Sequence, residues 1–182
     1  MLLAHRYLYI VHCNLYIIIC GLHVLGGKMK LRSSLFDRIA NIICLVLLVG
    51  VVVFFIAAWG SIPDQVPGHY DAGGNVTRMG SKSELVILPI MAWFLYLIML
   101  GVSLFPQAWS TGVKVTAENR VRVYRAIKHM LSTVKLAVVI IFVFIALSTA
   151  ITQSLPSWFL PASLILTFGP MAYFIIQLIR YR

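Results

Sequence analysis

Long apolar runs separated by short polar stretches dominate the pattern along the chain. A helix that crosses a membrane needs about 20 largely apolar residues, because the hydrocarbon core is about 30 Å thick. Strands of a membrane barrel would alternate polar and apolar side chains, whereas these runs are apolar throughout. The pattern predicts an all-α integral membrane protein, a four-helix transmembrane bundle with spans at about 41–59, 85–105, 136–152 and 158–179.

A fifth apolar run, at residues 7–25, is weaker because three polar side chains interrupt it. Three interpretations of residues 1–28 stay open: an extra helix, a signal peptide, or upstream sequence translated by mistake. The codons before Met29 can encode a purine-rich ribosome-binding site, and in the third interpretation Met29 is the true start. The four-span membrane domain is predicted to cover residues 29–182.

Composition narrows the class of protein. Of the 182 residues, 61% are apolar and only 11% are charged, which is more apolar surface than a water-soluble globule can bury. This composition disfavours a soluble enzyme, a disordered chain and a nucleic-acid-binding module, and it makes the lipid bilayer the expected partner. The three cysteines lie in apolar runs without a Cys-x-x-Cys pair, so we expect no disulfide framework.

The distribution of charge predicts which loops face the cytoplasm. The formal net charge is +10, and positive residues concentrate on the cytoplasmic side of short loops. Basic side chains precede the first span, fill residues 106–135 and follow the last span, whereas residues 61–84 hold two basic and three acidic side chains. We therefore expect both termini in the cytoplasm, if the chain starts at Met29, and the 61–84 loop outside.

The 61–84 loop has a pattern that is typical of ordered structure. Pro63 ends the first helix because it lacks a backbone donor, and Pro67 keeps the next stretch extended. A flexible linker would not need prolines and glycines at these places. We predict an ordered extracellular loop between helices 1 and 2.

A short hairpin is the structure that we predict within this loop. Residues 69–70 favour a short strand, residues 71–75 are rich in turn-forming side chains, and residues 76–79 favour a returning strand. Ser81 or Ser83 is expected to cap the second span.

The same loop resembles a bacterial family. Its string Ile-Pro-Asp-Gln-Val-Pro-Gly-His-Tyr-Asp at 62–71, a glycine at 73 or 74 and Gly-Ser-Lys at 80–82 are similar to the domain of unknown function 1648, found at the N-terminus of SdpI-like immunity proteins. The resemblance covers about residues 40–105. It implies a multi-pass protein of the bacterial cell membrane. For SdpI-like members it also implies protection from a secreted peptide toxin outside and sequestration of a regulator at the inner face.

Eight loop residues make up the candidate site. Those that we expect to shape the loop or contact a peptide are Pro63, Pro67, His69, Tyr70, Asp71, Gly74, Gly80 and Lys82. Lys82 is expected to extend toward the membrane interface or to pair with a loop carboxylate.

The chemistry of the loop favours binding over catalysis. His69 and Asp71 share a strand face, but with Asp64 they make only an incomplete metal site, so we expect no metal and no cofactor. Nothing nearby supplies a nucleophile or an oxyanion site. The simplest role for His69 is a hydrogen bond within the loop, and a pH-sensing or ligand-contacting role stays open.

Residues 116–132 predict a cytoplasmic amphipathic helix between helices 2 and 3, with Thr116 as its N-cap. Such a basic helix is suited to contact anionic lipid or an acidic patch on a cytoplasmic regulator. The basic residues expected to make this contact are Arg120, Arg122, Arg125 and Lys128. No acid or base lies in the middle of a predicted span, which argues against a pump or an ion-coupled transporter.

Three functional hypotheses follow. The first is a non-enzymatic bacterial membrane protein that acts in toxin immunity or envelope sensing through the 61–84 loop. The second is an accessory subunit of a membrane assembly or permease. The third is a membrane enzyme that uses His69 and Asp71.

Overall fold

Four long helices form the framework of the protein. The computed structural model describes residues 31 and 33–181, so the interpretations of residues 1–28 lie outside the described residues. The helices are α1 (Leu35–Ala58), α2 (Ile87–Leu104), α3 (Arg120–Ala150) and α4 (Phe159–Arg180). Within the described residues, these four are long and apolar enough to cross a membrane, which confirms the predicted helix number and makes the chain a multi-pass membrane protein.

The third span differs from its prediction. We expected a separate amphipathic helix at residues 116–132 followed by a span at 136–152, but α3 is one continuous helix of 31 residues. Neither proline nor glycine occurs within α3, and the charge of Lys135, at which the predicted span was cut, does not by itself break a helix. The basic segment is therefore the first part of a membrane helix.

Thr116 does not act as the N-cap that we predicted. The cap position of α3 belongs to Asn119. Thr116 and Asn119 instead exchange hydrogen bonds in the turn before the helix: the Thr116 amide donates to Asn119 Oδ1 at 2.8 Å, and the Asn119 amide donates to Thr116 Oγ1 at 3.3 Å.

The first helix begins six residues earlier than the predicted span. A capping box fixes this start, because Ser34 Oγ accepts from the Asp37 amide at 3.2 Å and Asp37 Oδ2 accepts from the Ser34 amide at 2.9 Å. The earlier start brings Asp37 into the helix, where its side chain is buried.

The bundle is organised around α3. Helices α1, α2 and α4 each pack against α3, whereas α1 and α2 touch each other much less. Buried positions recur every three or four residues along α1, which places them on one face of the helix. The core between α1, α2 and α3 includes Cys44, Leu48, Val51, Phe55, Ala92, Tyr96, Val139, Val143 and Ala146. The outward faces stay apolar and exposed, as with Ile56 and Ile165, which suits contact with lipid.

A two-stranded antiparallel sheet joins α1 to α2, so the fold is not purely α-helical. The strands are β1 (Gln65–Tyr70) and β2 (Val76–Ser81), with Gln65 opposite Ser81 and Tyr70 opposite Val76. The predicted hairpin is thus present, and its first strand starts four residues earlier than expected. Its position defines the hairpin end of the bundle; the opposite end, where α3 begins and α4 finishes, is called the basic end.

Candidate functional site

The hairpin is attached to the bundle through Tyr70. Its hydroxyl group lies 3.1 Å from Thr149 Oγ1 and donates to the carbonyl oxygen of Gln153 at 3.2 Å. Burial raises the pKa of Tyr70 above its ordinary value, which keeps the phenol protonated as a donor. Tyr70 therefore ties β1 to the end of α3.

A second attachment lies at the tip of the hairpin. The Leu155 amide, in the connection between α3 and α4, donates to the Gly74 carbonyl oxygen at 2.8 Å. Gly74 has φ +86, and a Cβ atom at this position would lie 2.1 Å from the Leu155 oxygen. Only glycine combines this backbone conformation with so close an approach.

Asp71 organises the turn that presents Gly74. Its Oδ1 accepts from the Gly73 amide at 2.9 Å and from the Asn75 amide at 2.8 Å, and its Oδ2 accepts from Asn75 Nδ2 at 3.1 Å. The side-chain and backbone donors of Asn75 lower the pKa of Asp71 below its ordinary value. The carboxylate is therefore engaged within its own turn.

Lys82 makes the third attachment. Its ammonium group donates to the carbonyl oxygens of Trp59 and Ile62, the latter at 2.8 Å, and it lies 4.9 Å from the centre of the Trp59 ring. A cation at a helix C-terminus satisfies carbonyls that have no partner in the helix. Lys82 thus donates hydrogen bonds to backbone carbonyl groups just after α1 instead of pairing with a carboxylate.

Gly80 makes room for an ion pair on the strand before α2. Glu84 Oε2 accepts from Arg78 at 2.9 Å, and Glu84 Oε1 accepts from the Ser81 amide at 3.2 Å. A Cβ atom on Gly80 would lie 2.6 Å from this carboxylate. Ser81 caps the short 3₁₀ turn that leads into α2, which confirms one of the two predicted caps.

The prolines differ in exposure. Pro67 is buried within β1, opposite Met79, whereas Pro63 is exposed. Pro63 follows a 3₁₀ turn at Trp59–Ser61, so α1 has ended before the proline, as its lack of a donor requires.

His69 is the candidate residue that keeps a free functional group. Its Nδ1 lies 2.6 Å from Thr77 Oγ1 on the other strand, and its side chain is exposed. Among residues 31 and 33–181, Nε2 of His69 has no hydrogen-bond partner, and no group of three or more His, Cys, Asp or Glu side chains is placed to hold a metal.

A cleft of about 330 Å³ lies between the hairpin and the start of α4. One wall carries His69, Tyr70 and Asp71, and the other is apolar, with Phe159 and Leu160. A smaller cleft of about 230 Å³ lies on the other side of Tyr70, toward α2. The structure thus brings four of the eight predicted residues together around one cleft: His69, Tyr70, Asp71 and Gly74.

A third groove is of a different kind. It has about 870 Å³, lies between α1 and α2, and is lined by apolar side chains that include Trp59, Phe55, Trp93 and Phe94. Its apolar lining suits contact with lipid tails.

The predicted basic residues lie at the start of α3. Arg120, Arg122 and Arg125 are exposed, and Lys128 donates to Ser33 Oγ at 3.1 Å. At about 1.5 Å per residue, α3 is about 46 Å long, which is more than the thickness of the hydrocarbon core.

Sequence reasoning missed a buried polar cluster between α1 and α3. Asp37 and Lys135 are 7% and 3% exposed, and both lie within the helices as observed although outside the spans as predicted. The expectation that no acid or base lies inside a span therefore does not hold for the observed helices. The sequence does contain a signal for this cluster. Polar residues occur at 34, 37 and 41 and at 129, 132 and 135, and this spacing of three or four places each set on one face of a helix.

Comparison with known proteins assigns a family to the part of the chain that carries the hairpin. No curated protein and no solved structure matched the chain. Residues 45–93 match the protein family described as a domain of unknown function (DUF1648), which confirms the resemblance of the loop. The second half of α1, the hairpin and the start of α2 are therefore a DUF1648 domain, carried by a multi-pass membrane protein.

Proposed function

We propose that this protein is a non-enzymatic protein of the bacterial cell membrane that binds a secreted peptide at its hairpin and acts in toxin immunity or envelope sensing. The observation that carries the proposal is the cleft beside His69. It lies at the hairpin end of the bundle, where residues 61–84 hold two basic and three acidic side chains. In this proposal the hairpin end faces outward and the basic end faces the cytoplasm.

The attachments of the hairpin support a binding role. Tyr70, Gly74 and Lys82 connect it to three different places on the bundle: the end of α3, the connection before α4, and the end of α1. A surface that is already ordered loses little conformational entropy when a ligand binds, so more of the contact energy appears as affinity.

The chemistry of the cleft supports a peptide as the ligand. Phe159 and Leu160 offer an apolar wall for an apolar side chain, while Nε2 of His69 offers a hydrogen bond at the rim.

The hydrogen bonds of the hairpin support a role without catalysis. The Asp71 carboxylate accepts from donors of its own turn, and His69 Nδ1 contacts Thr77 and not an acid. A general base held by a carboxylate, as catalytic histidines commonly are, is not assembled from these residues.

The proposed orientation rests on the distribution of positive charge. Exposed Arg120, Arg122 and Arg125 lie at the basic end, as the positive-inside rule requires of cytoplasmic segments. A reporter phosphatase inserted near Gly74 should be active, and one fused after Arg180 should be inactive. Activity only of the Arg180 fusion would reverse the orientation and remove the proposal.

Complementation of a deletion strain tests the function. The strain is challenged with culture supernatants of neighbouring bacteria, and we expect the wild-type gene to restore tolerance. His69→Ala and Leu160→Ser should lower the tolerated dose about tenfold, the effect of losing about 1.4 kcal/mol of binding. Met79→Ala, an exposed change on β2 away from the cleft, is the matched control.

The outcomes separate the two roles. If deletion leaves sensitivity to every supernatant unchanged, immunity is excluded, and sensing is measured as a transcriptional response to the same supernatants. A response that depends on His69 supports sensing. The absence of both effects, with all variants present in the membrane, refutes the proposal.

A further inference from the structure

Two polar layers lie in the otherwise apolar contact between α1 and α3. In the first, Asp37 Oδ1 accepts from Ser132 Oγ at 2.8 Å, and Asp37 Oδ2 accepts from the amide and from Oγ of Ser34, each at 2.9 Å. In the second, one turn further along both helices, Lys135 Nζ donates to Asn41 Oδ1. Together they place one acid and one base within the bundle.

The second layer lies at the depth of the hydrocarbon core. Lys135 precedes the end of α3 at Ala150 by 15 residues, or about 22 Å at 1.5 Å per residue, within a core about 30 Å thick. An ionisable side chain at such a depth is costly to bury and usually marks a functional site. Lys135 has three N–H donors when charged. Among the described residues it donates to Asn41 Oδ1 and lies over the face of Tyr96, 5.4 Å from the ring centre.

A chain of hydrogen bonds connects the first layer to the surface at the basic end. The His129 side chain is 27% exposed, and its Nε2 lies 3.1 Å from Ser34 Oγ, which in turn donates to Asp37 Oδ2. Nε2 of His129 also lies 3.9 Å from that carboxylate oxygen. These contacts form a continuous hydrogen-bonded path by which a proton can pass from solvent to Asp37.

The path of hydrogen bonds does not continue toward the hairpin end. Beyond Lys135 toward the hairpin end, the contact continues with Cys44, Leu48 and Val139, each 0% exposed. Among the described residues, none of these three side chains makes a hydrogen bond that would extend the path. The titratable or charged groups that face the two layers are Asp37 and Cys44 of α1, Tyr96 of α2, and Lys128, His129 and Lys135 of α3.

We propose that Asp37 is a proton-binding site open only to the basic end, with His129 as its entrance. One proton moves from solvent to His129, from Nε2 to Ser34 Oγ, and from Ser34 Oγ to Asp37 Oδ2. Each transfer breaks one N–H or O–H bond and forms another, and no electron moves. Since the described path ends at buried apolar side chains, protons reach the site from the basic end.

The consequence of protonation lies in the contact between α1 and α3. A neutral Asp37 accepts weaker hydrogen bonds from Ser34 and Ser132 than the carboxylate does. We therefore expect acidification at the basic end to loosen the first turns of α1 against α3. This inference is independent of any ligand at the hairpin.

Infrared difference spectroscopy of the full chain in phosphatidylcholine vesicles tests the site directly. Lowering the pH at the basic end should produce the band of a protonated carboxylic acid, and this band should be absent from Asp37→Asn. Ser132→Ala removes one donor without changing charge, so the midpoint of the band should move about one pH unit toward neutral. Ser103→Ala, whose hydroxyl bonds Met99 within α2, is the matched control and should not move it.

Two results overturn the inference. One is a difference spectrum that Asp37→Asn and Ser132→Ala both leave unchanged. The other is a band that appears equally when only the hairpin end is acidified. If Asp37→Asn does not fold, the shift in Ser132→Ala against Ser103→Ala still decides the matter.

Discussion

The hydroxyl group of Tyr70, on the hairpin, lies 3.1 Å from Oγ1 of Thr149, at the end of α3. Because the Tyr70 hydroxyl donates to the Gln153 carbonyl oxygen, it can accept from the Thr149 hydroxyl at the same time. This contact joins residues far apart in the sequence, and it sets where the hairpin lies on the bundle.

Replacement of Tyr70 by Phe keeps the ring and removes both hydrogen bonds. We expect the free energy of unfolding in mild detergent to fall by about 1 kcal/mol, the usual net contribution of such bonds. Hydrogen exchange of residues 149–155 should become faster. Tyr173→Phe is the control, since Tyr173 is exposed on α4 and only accepts from Gln177 within its own helix; equal losses in both variants would contradict the assigned role of Tyr70.

Gly74→Ala should displace the tip of the hairpin. The new Cβ atom meets the Leu155 carbonyl oxygen and the residue must keep a positive φ, so we expect a loss of about 1–3 kcal/mol in unfolding free energy. At Gly73 a Cβ atom meets only side-chain atoms, the nearest being Asn75 Nδ2 at 3.1 Å. Gly73→Ala should therefore cost much less, and limited proteolysis of the hairpin distinguishes the two variants.

Lys82→Met removes the charge that closes the end of α1. The carbonyl oxygens of Trp59 and Ile62 then lose their donor, and we expect a loss of about 1 kcal/mol with faster hydrogen exchange at residues 58–62. Lys114→Met, at an exposed position outside the helices, should change neither quantity. An unchanged exchange rate in Lys82→Met would show that Lys82 does not hold this end.

The stability of the hairpin turn should depend on pH through Asp71. Since its pKa is lower in the folded protein, Asp71 stabilises the turn above its unfolded pKa of about 3.9, and this contribution is lost as the pH falls through the folded pKa. Asp71→Asn should weaken the turn at neutral pH and remove this part of the acid dependence. Chemical-shift titration of the Gly73 and Asn75 amides measures it, and an identical titration in Asp71→Asn would contradict it.

The basic end should select anionic lipid. Replacement of Arg120, Arg122 and Arg125 together by Gln removes exposed charges that each contribute about 1 kcal/mol near an anionic surface. We expect less phosphatidylglycerol to co-purify with the triple variant, and a weaker dependence on salt. Arg78→Gln, a cation at the hairpin end, is the comparison; an equal loss of lipid there would rule out selection by the basic end.

The helices could be predicted closely, and their limits less so. Apolar runs identify α1, α2 and α4 because the lipid requires them, whereas the limits of α1 and α3 depend on caps and on polar residues buried by neighbours. A lysine in the sequence marks the end of a span if it faces water. Lys135 does not mark one, because Asn41 and Tyr96 of other helices surround it.

The hairpin motif illustrates what a sequence pattern leaves undecided. Its prolines, glycines and turn residues predict an ordered hairpin, but they do not assign each residue a role. The structure places Gly74 and Lys82 in attachments to the bundle, sets Gly80 against the Glu84 carboxylate, and leaves His69 exposed beside a cleft. These roles depend on partners that are distant in sequence, such as Leu155 and Trp59.

By itself, the sequence determined that this is a membrane protein with four long apolar helices, an ordered loop at 61–84 and a DUF1648-like motif. These features depend on hydrophobicity and backbone chemistry over short stretches of chain, so apolar runs and turn-forming residues reveal them. Only the tertiary structure decided that α3 is the shared centre, that Tyr70 fixes the hairpin to it, and that Asp37 and Lys135 lie in one buried seam. Burial and pairing of polar groups depend on which helix lies opposite, and no local pattern contains that information.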